Sequence, residues 1–409
     1  MRRLRCVPDL GQGSGEVPSS LVILHVTPHL PPDQAANALL PAHLGAWAAD
    51  AGLEVAYLAH PPRAGAPAPA AGPVTWSTPS QGGGILKTLR FTSLAASRRI
   101  AQDAEPLLAR ASLVHLHSNG LLTEVMARLA RRRGIPTVLT LYGTEIWHYR
   151  PKRIVDLFTA MYRTASAVTF YSRGLHDKAL ELGLSRPGLS VAYPPVVERF
   201  GPVDASARAA LRQRLGLTRR HVLINVKRLH PLAGQRHLLD AMPAVLRAHP
   251  DTELVICGTG ALRPELEAQA AALGIAPHVR FAGLVDNEIV ADYNRAADVF
   301  VLPSLLEALP TVAVEALACG TPVVSADHPG GVELHGLFGA DVAVVPREDS
   351  KRLAAALTER LADPRRTLPS TASGLERHFR PPAVRAQYFA LYAALAPSLG
   401  IRPAAGARP

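Results

Sequence analysis

The chain alternates short apolar runs with longer stretches whose apolar positions recur at helical spacing. "LVILHV" (21–26) is apolar at successive positions, as in strands buried on both faces of a parallel sheet. A helical stretch follows at 36–51, stopped by Gly52, and then a second strand, "LEVAYLA" (53–59). Residues 61–84, rich in Pro, Ala and Gly, read as a loop. A basic helix near 94–110 leads to three more strands, "LVHLH" (113–117), "TVLTLYG" (137–143) and "AVTFYS" (167–172), with helical segments between them. Alternation of this kind predicts a parallel sheet with right-handed crossovers, a doubly wound domain.

The pattern breaks at "VAYPPVVERF" (191–200), where paired prolines and polar residues read as a linker. It then restarts with "HVLINVKRL", a helix at 234–248, "ELVICGTG", a helix at 262–273, "VRFAGLV", a helix at 286–296, "DVFVLPS", a helix at 310–319 and "TPVVSAD". A second doubly wound domain is expected. The resulting division is a disordered leader at 1–18, a first domain at 19–200, a second at 201–374, a C-terminal helix at 375–396 returning to the first domain, and a tail at 397–409. Open parallel sheets bind ligands at the carboxyl ends of their strands. Candidate site residues therefore belong in the loops after strands, on both walls of an interdomain cleft.

Composition narrows the function classes. A chain of 409 residues exceeds what one core usually supports, about 250–300 residues. Its 48% hydrophobic and 19% charged content is that of a globular protein. Cys6, Cys257 and Cys319 have no metal-ligand spacing and an odd count, which points to a reducing cytoplasm. The first 20 residues are basic but are followed by no apolar stretch of signal-peptide length. The net charge of +11 comes mostly from scattered arginines; "ARRRGIP" (130–136) is the tight cluster. Aromatic residues, at 5%, do not interleave with the basic ones as a stacking platform requires, so nucleic acid is not an expected partner. A solvated basic face is expected, with peripheral contact at the inner face of a membrane second. The oligomeric state is left open.

The chemistry concentrates in "PSLLEALPTVAVEALACGTPVV" (303–324). Glu307 falls in a loop at a strand's carboxyl end; Pro310 opens a helix that Gly320 and Pro322 close. Glu315 lies on its second turn. The helix N-terminus favours a phosphate, and the two acids flanking it can accept hydrogen bonds from sugar hydroxyls. A surface acid and a helix-dipole partner are the alternative on spacing alone.

This segment resembles the Glu-x7-Glu motif of the retaining nucleotide-sugar glycosyltransferases of family 4. The likeness continues through "LACGTPVVSAD", "GGVEL", "VICGTGALRPELEAQAAALGIAPHVRFAGLV" and "YNRAADVFVLPS", strongly over 220–350 and more weakly before. It implies the GT-B fold, two Rossmann-like domains facing across a cleft, and sugar transfer from a nucleoside diphosphate sugar to a hydroxyl acceptor of unknown identity, whether a natural product, glycan or lipid. It also implies roles. Glu307 would hold the donor sugar and Glu315 the ribose, with Pro310, Thr311 and Val312 against sugar and diphosphate. The Gly258–Gly260 turn would lie near the nucleotide, and the backbone of "RFAGL" (280–284), starting at Arg280, would cradle the base. Arg228 of "NVKRLHPLAGQ" would neutralise the leaving diphosphate, with Lys227 beside it. In "LVHLHSNG", His117 would steady sugar or acceptor, with His115 on the same strand face. Asp33, Gln34, Tyr142 and Glu145 are acceptor-side candidates.

The departures are specific. Lys227 stands where glycine is usual, and Ala233 where the family has a lysine just before glycine. Loss of a cation facing a leaving diphosphate should matter, unless Lys227 or Arg236 replaces it. Tyr142 replaces a frequent histidine, and "TPHLPPDQAANALL" lacks the usual Gly-Gly pair. Neither an Asp-x-Asp motif nor a metal-ligand cluster is apparent, so no metal or other cofactor is expected. Two rivals stay open: a nucleotide-sugar epimerase or hydrolase, and a non-catalytic nucleotide-sugar-binding protein. A dinucleotide dehydrogenase is disfavoured, since "CGTG" lacks the third glycine of that fingerprint.

Overall fold

A computed structural model describes residues 22–33, 35–62, 66, 68–78, 91–151 and 156–402. The leader, Gln34 and residues 403–409 lie outside them. Two parallel sheets dominate. The first runs in the order β3-β2-β1-β4-β5-β6-β7, from β1 (Val22–Thr27), β2 (Glu54–Ala59), β3 (Val74–Trp76), β4 (Ala111–His117), β5 (Thr137–Leu141), β6 (Ala167–Phe170) and β7 (Leu189–Val191). The second runs β10-β9-β8-β11-β12-β13, from β8 (His221–Val226), β9 (Thr252–Cys257), β10 (Val279–Gly283), β11 (Val299–Leu302), β12 (Val323–Ala326) and β13 (Val342–Val345). All six residues of β1 are buried, as the unbroken apolar run implies for a central parallel strand. Strand order reverses between β1 and β4 and between β8 and β11, and such reversals open crevices at the strands' carboxyl ends.

The short edge strand β3 falls within 61–84, where composition predicts a loop; three residues of half-buried edge carry too little periodicity to announce themselves. β7, β13 and the Ser350–Ala362 helix were likewise not anticipated. The domain boundary also moves. Tyr193, Val196 and Phe200 pack into the second core with Phe379, so that domain's packing begins near 193 rather than 201.

The C-terminal segment is two helices, Pro369–His378 and Pro381–Leu395, not one. Pro381, at the first turn of the second, has no N–H to continue the first. Phe379 at the break is buried in the second core, whereas Val384, Tyr388, Phe389 and Tyr392 lie in the first. Within the region read as tail, Pro397–Leu399 form a helical turn and Leu399 is buried against the first core. Among the described residues, no helix is long and apolar enough to cross a membrane.

Candidate active site

A cavity of about 460 Å³ lies between the two switch points. The first domain lines it with Asn37, Ser118, Tyr142, Gly143, Glu145, Trp147 and His148. The second contributes Lys227, Arg228, His230, Ala233 and Leu306–Leu309, including Glu307. Every one of these lies beyond a strand's carboxyl end or in the helix that follows. The walls meet closely: a Cβ on Gly143 would stand 3.3 Å from Cβ of Ala308.

On the second wall, Lys227 Nζ lies 2.6 Å from Oε1 of Glu307. Arg228 is exposed beside them, and its guanidinium makes no ion pair among the described residues. The turn carrying both cations is braced from behind. Lys227 N–H donates to the Cys257 carbonyl, and Leu229 N–H to that of Thr259, both at 3.0 Å. A Cβ on Gly258 would stand 2.1 Å from the Lys227 carbonyl oxygen, and one on Gly260 equally close to that of Leu229. These two glycines thus permit backbone to pass backbone. They do not line the cavity.

At Arg280 the resemblance implicates the backbone of 280–284, and the side chain is engaged elsewhere. Its guanidinium donates to the carbonyls of Leu215 and Gly216, at 2.7 Å each, and pairs with Glu253, away from the cavity. The wall itself ends at Leu309, so Pro310, Thr311, Val312 and Glu315 lie beyond it. Thr311, Val312 and Glu315 are nevertheless half-exposed. The Glu315 carboxyl makes no hydrogen bond or ion pair among the described residues. Burial pushes its pKa up to about 8, against the opposing charge of Arg199. An unpaired acid in that state is a functional-site signal.

On the first wall, the two histidines of β4 are fully buried and neither lines the cavity. His117 meets Nδ1 of His25 at 3.0 Å through Nε2, and the Tyr142 hydroxyl at 2.7 Å through Nδ1. His115 is held by the hydroxyls of Tyr392 (2.6 Å) and Thr140 (2.7 Å). Desolvation holds both imidazoles well below the usual histidine range. The expectation that His117 faces the sugar is thereby corrected: Tyr142 stands between it and the cavity. The ligand atoms of His25, His115 and His117 lie within 4.8 Å of one another, a spacing compatible with a metal. The His115 nitrogens and those of His117 are engaged by side-chain partners, however, and no carboxylate joins the group, so the set fits a hydrogen-bonded core better than a cation.

Glu145 is 5% exposed and accepts from the Ser118 hydroxyl (2.5 Å) and from the Gly143 and Tyr142 N–H groups (2.8 and 3.3 Å). It shapes the turn that presents Tyr142. Asp33 pairs with Nδ1 of His29 at 3.0 Å, outside the cavity wall.

Three features escaped the sequence reading. Asn37, Trp147, His148 and His230 line the cavity although the sequence reading gave none of them a role. His328 accepts from the Gly331 N–H at 2.9 Å and so caps the Pro329–Phe338 helix; burial holds it to about 4, in the neutral form that can accept. Glu333, the acid of "GGVEL", reaches across to the first domain. It accepts from Arg173 N–H (2.7 Å), Gly174 N–H (2.9 Å) and the Tyr193 hydroxyl (2.8 Å). That places a carboxylate at the N-terminus of the Arg173–Glu181 helix, where the dipole favours it.

Comparison with known proteins decides the family. The profile described as "Glycosyl transferases group 1" matches residues 207–373, and "Glycosyl transferase 4-like domain" matches 41–195. A GDP-mannose-dependent alpha-(1-6)-phosphatidylinositol monomannoside mannosyltransferase of Mycolicibacterium smegmatis is 34% identical over 267 residues, 62% of this chain and 68% of that protein. The chain is a family 4 glycosyltransferase. A D-inositol 3-phosphate glycosyltransferase of Thermobispora bispora is 38% identical over 181 residues, 42% of each chain. Among solved structures, the sucrose-phosphate synthase of Thermosynechococcus elongatus shares the fold with TM-score 0.72 at 22% identity, over 92% of this chain and all of that one. Anabaena HepE, solved with UDP and glucose, does so with TM-score 0.69 at 21% identity, over 91% and 99%. The two-domain GT-B architecture and transfer from a nucleotide-sugar donor therefore stand.

Proposed function

We propose that this glycosyltransferase moves mannose from GDP-mannose, with retention at the anomeric carbon, to a hydroxyl of an inositol-containing acceptor, a phosphoinositide headgroup at a membrane surface being the favoured form. The observation that carries the reading is the second wall of the cavity, where Glu307, Lys227 and Arg228 meet at a switch point. An ionised acid there accepts from sugar hydroxyls, and the two cations face the charge that grows on the diphosphate as it leaves. The diphosphate departs on the face from which the acceptor attacks, and its oxygen takes the acceptor proton. Orientation and charge stabilisation, rather than a strong base, then lower the barrier. Lys227 and Arg228 act where a divalent cation would otherwise sit. The donor and acceptor class are supported by the names of the mannosyl- and inositol-phosphate-transferring relatives.

The test incubates the full chain with GDP-mannose or UDP-glucose and phosphatidylinositol vesicles or free inositol phosphate, with and without EDTA. Products are read by mass spectrometry and anomeric configuration by NMR. Mannosylated inositol lipid of retained configuration, unaffected by EDTA, is expected, and Glu307→Ala abolishes it while leaving the circular dichroism spectrum unchanged. An epimerised sugar from donor alone, or turnover by Glu307→Ala at the wild-type rate, overturns the reading.

A further inference from the structure

We infer that Glu333 is a positioning residue: its grip on the first domain sets, through the helix that carries it, where Glu307 stands against the donor sugar. The inference rests on the reading of Glu307 as the acid that holds that sugar. The Pro329–Phe338 helix belongs to the second domain, and its first turn is fastened to the loop of Glu307. Gly330 N–H donates to the Glu307 carbonyl at 3.1 Å. A Cβ on Gly330 would stand 2.7 Å from Cδ of Pro310 and 3.0 Å from the Ala308 carbonyl oxygen, so helix and loop lie in direct contact. Gly331 is confined in the same way by the Ala326 carbonyl, and its N–H is capped by His328 at 2.9 Å. The Lys227 pair holds the carboxylate end of Glu307, and this helix holds its backbone end.

The same turn meets the first domain. A Cβ on Gly174 would stand 3.6 Å from Cβ of Pro329. One turn beyond Gly330, the Glu333 carboxylate takes the Arg173 and Gly174 N–H groups, which have no partner within their own helix. Its third donor is the Tyr193 hydroxyl. The Tyr193 ring stacks on Phe379 at 4.8 Å, and Val196 N–H donates to the Phe379 carbonyl at 2.8 Å. The two chain segments that cross between the domains meet there, so Glu333 grips beside the pivot and registers the angle between the domains. A single helical turn is a stiff link. A shift of the first domain that pulls on Glu333 moves Gly330, and with it the Glu307 backbone. The donor sugar is then fully held only while the domain that carries the opposite wall is seated.

The test titrates GDP-mannose and UDP-glucose, each beside its parent diphosphate, calorimetrically into the full-length wild type; the pair that binds is carried into the variants. Glu307→Ala weakens the intact donor about tenfold, as loss of a hydrogen bond to a charged group does, and leaves the diphosphate within about twofold. Glu333→Ala, far from the sugar, shows the same split. Glu333→Gln, which keeps one accepting oxygen, loses less, and so does Tyr193→Phe, which keeps the ring on Phe379; these two carry the test if the alanine variant is unstable. The double variant Glu307→Ala/Glu333→Ala binds the donor no more weakly than Glu307→Ala, because both changes remove one contact. A role in stability alone lowers Tm and leaves the ratio of donor to diphosphate affinity where it was. An unchanged ratio in the Glu333 variants, an equal loss for the diphosphate, or a double variant whose loss is the product of the two single losses overturns the inference. A wild type that binds neither donor, or Glu307→Ala with wild-type donor affinity, removes the reading of Glu307 itself, and this inference with it.

Discussion

Replacing Glu315 by glutamine tests its assignment to the donor ribose through a titration. The carboxyl is half-buried on the second turn of the Thr311–Ala318 helix, and burial lifts its pKa from an ordinary value of 4.5 to about 8, Arg199 opposing. One pH unit below 8, about a tenth of the molecules carry the carboxylate; two units below, about a hundredth. If the carboxylate is the form that accepts the ribose hydroxyls, apparent donor affinity rises about tenfold between pH 6 and 7 and about fivefold more by pH 8, levelling off near pH 9. The buried imidazoles do not confuse this window. Burial holds His25 to about 3 and His328 to about 4, and keeps His115 and His117 well below the ordinary histidine value, so all four stay neutral through it.

The measurement is calorimetric titration with intact GDP-mannose, whose diphosphate bears no titrating terminal oxygen. Glu315→Gln binds more weakly at pH 9 and shows no pH slope. Stability supplies a second readout with its own sign. A folded-state acid pKa above the unfolded value means that the folded chain keeps a proton the unfolded chain releases. The contribution is therefore full below about 4.5 and is lost as pH rises through about 8, with a slope of at most about 1.4 kcal/mol per pH unit, reduced by the carboxyl's partial access to water. The glutamine variant lacks that slope. A wild type whose donor affinity is flat from pH 6 to 9, or a glutamine variant that retains the rise, refutes the assignment.

Three further outcomes follow from the geometry. Gly234→Ala puts a Cβ 2.0 Å from the Pro303 carbonyl oxygen at a φ of +69°, so denaturant unfolding should show a loss of about 2–4 kcal/mol; wild-type stability would deny that the two loops are in close contact. Tyr142→Phe keeps the ring but leaves the buried His117 Nδ1 without its hydroxyl partner, a cost of about 1–3 kcal/mol readable as a lower Tm, and an unchanged Tm would contradict it. Glu333→Ala releases two N–H groups and the Tyr193 hydroxyl at the junction of the domains. Stability should fall by about 1.5–3 kcal/mol, the range of a hydrogen bond to a charged group, and the radius of gyration in solution scattering should rise; an unaltered scattering curve speaks against a clasp.

Much of the fold was legible because buried parallel strands write themselves as unbroken apolar runs. "LVILHV" and "HVLINV" are both central strands, and each ends where the reading placed the cleft. The edge strands β3 and β7, three residues each and half-buried, carry no such run. The site divided along the same line. Glu307, Lys227 and Arg228 could be placed because each lies in the loop beyond a strand's carboxyl end, so local pattern sufficed to put them on the wall. His117 defeated that reasoning. Its position at the end of β4 was right, but whether a strand-end side chain reaches the cleft depends on what covers it, here Tyr142 from the end of β5, twenty-five residues on. Glu333 failed for the complementary reason. Its partners, Arg173, Gly174 and Tyr193, are supplied by the other domain and the linker, between 140 and 160 positions away. Pattern locates a residue on its own element; the contact that gives it a role is made by another. The same argument favours Lys227 over Arg236 as the compensating cation. Sequence distance from Ala233 slightly favours Arg236, three positions on against six, but the backbone clamp by Cys257 and Gly258 and the pairing with Glu307 put only Lys227 inside the cavity.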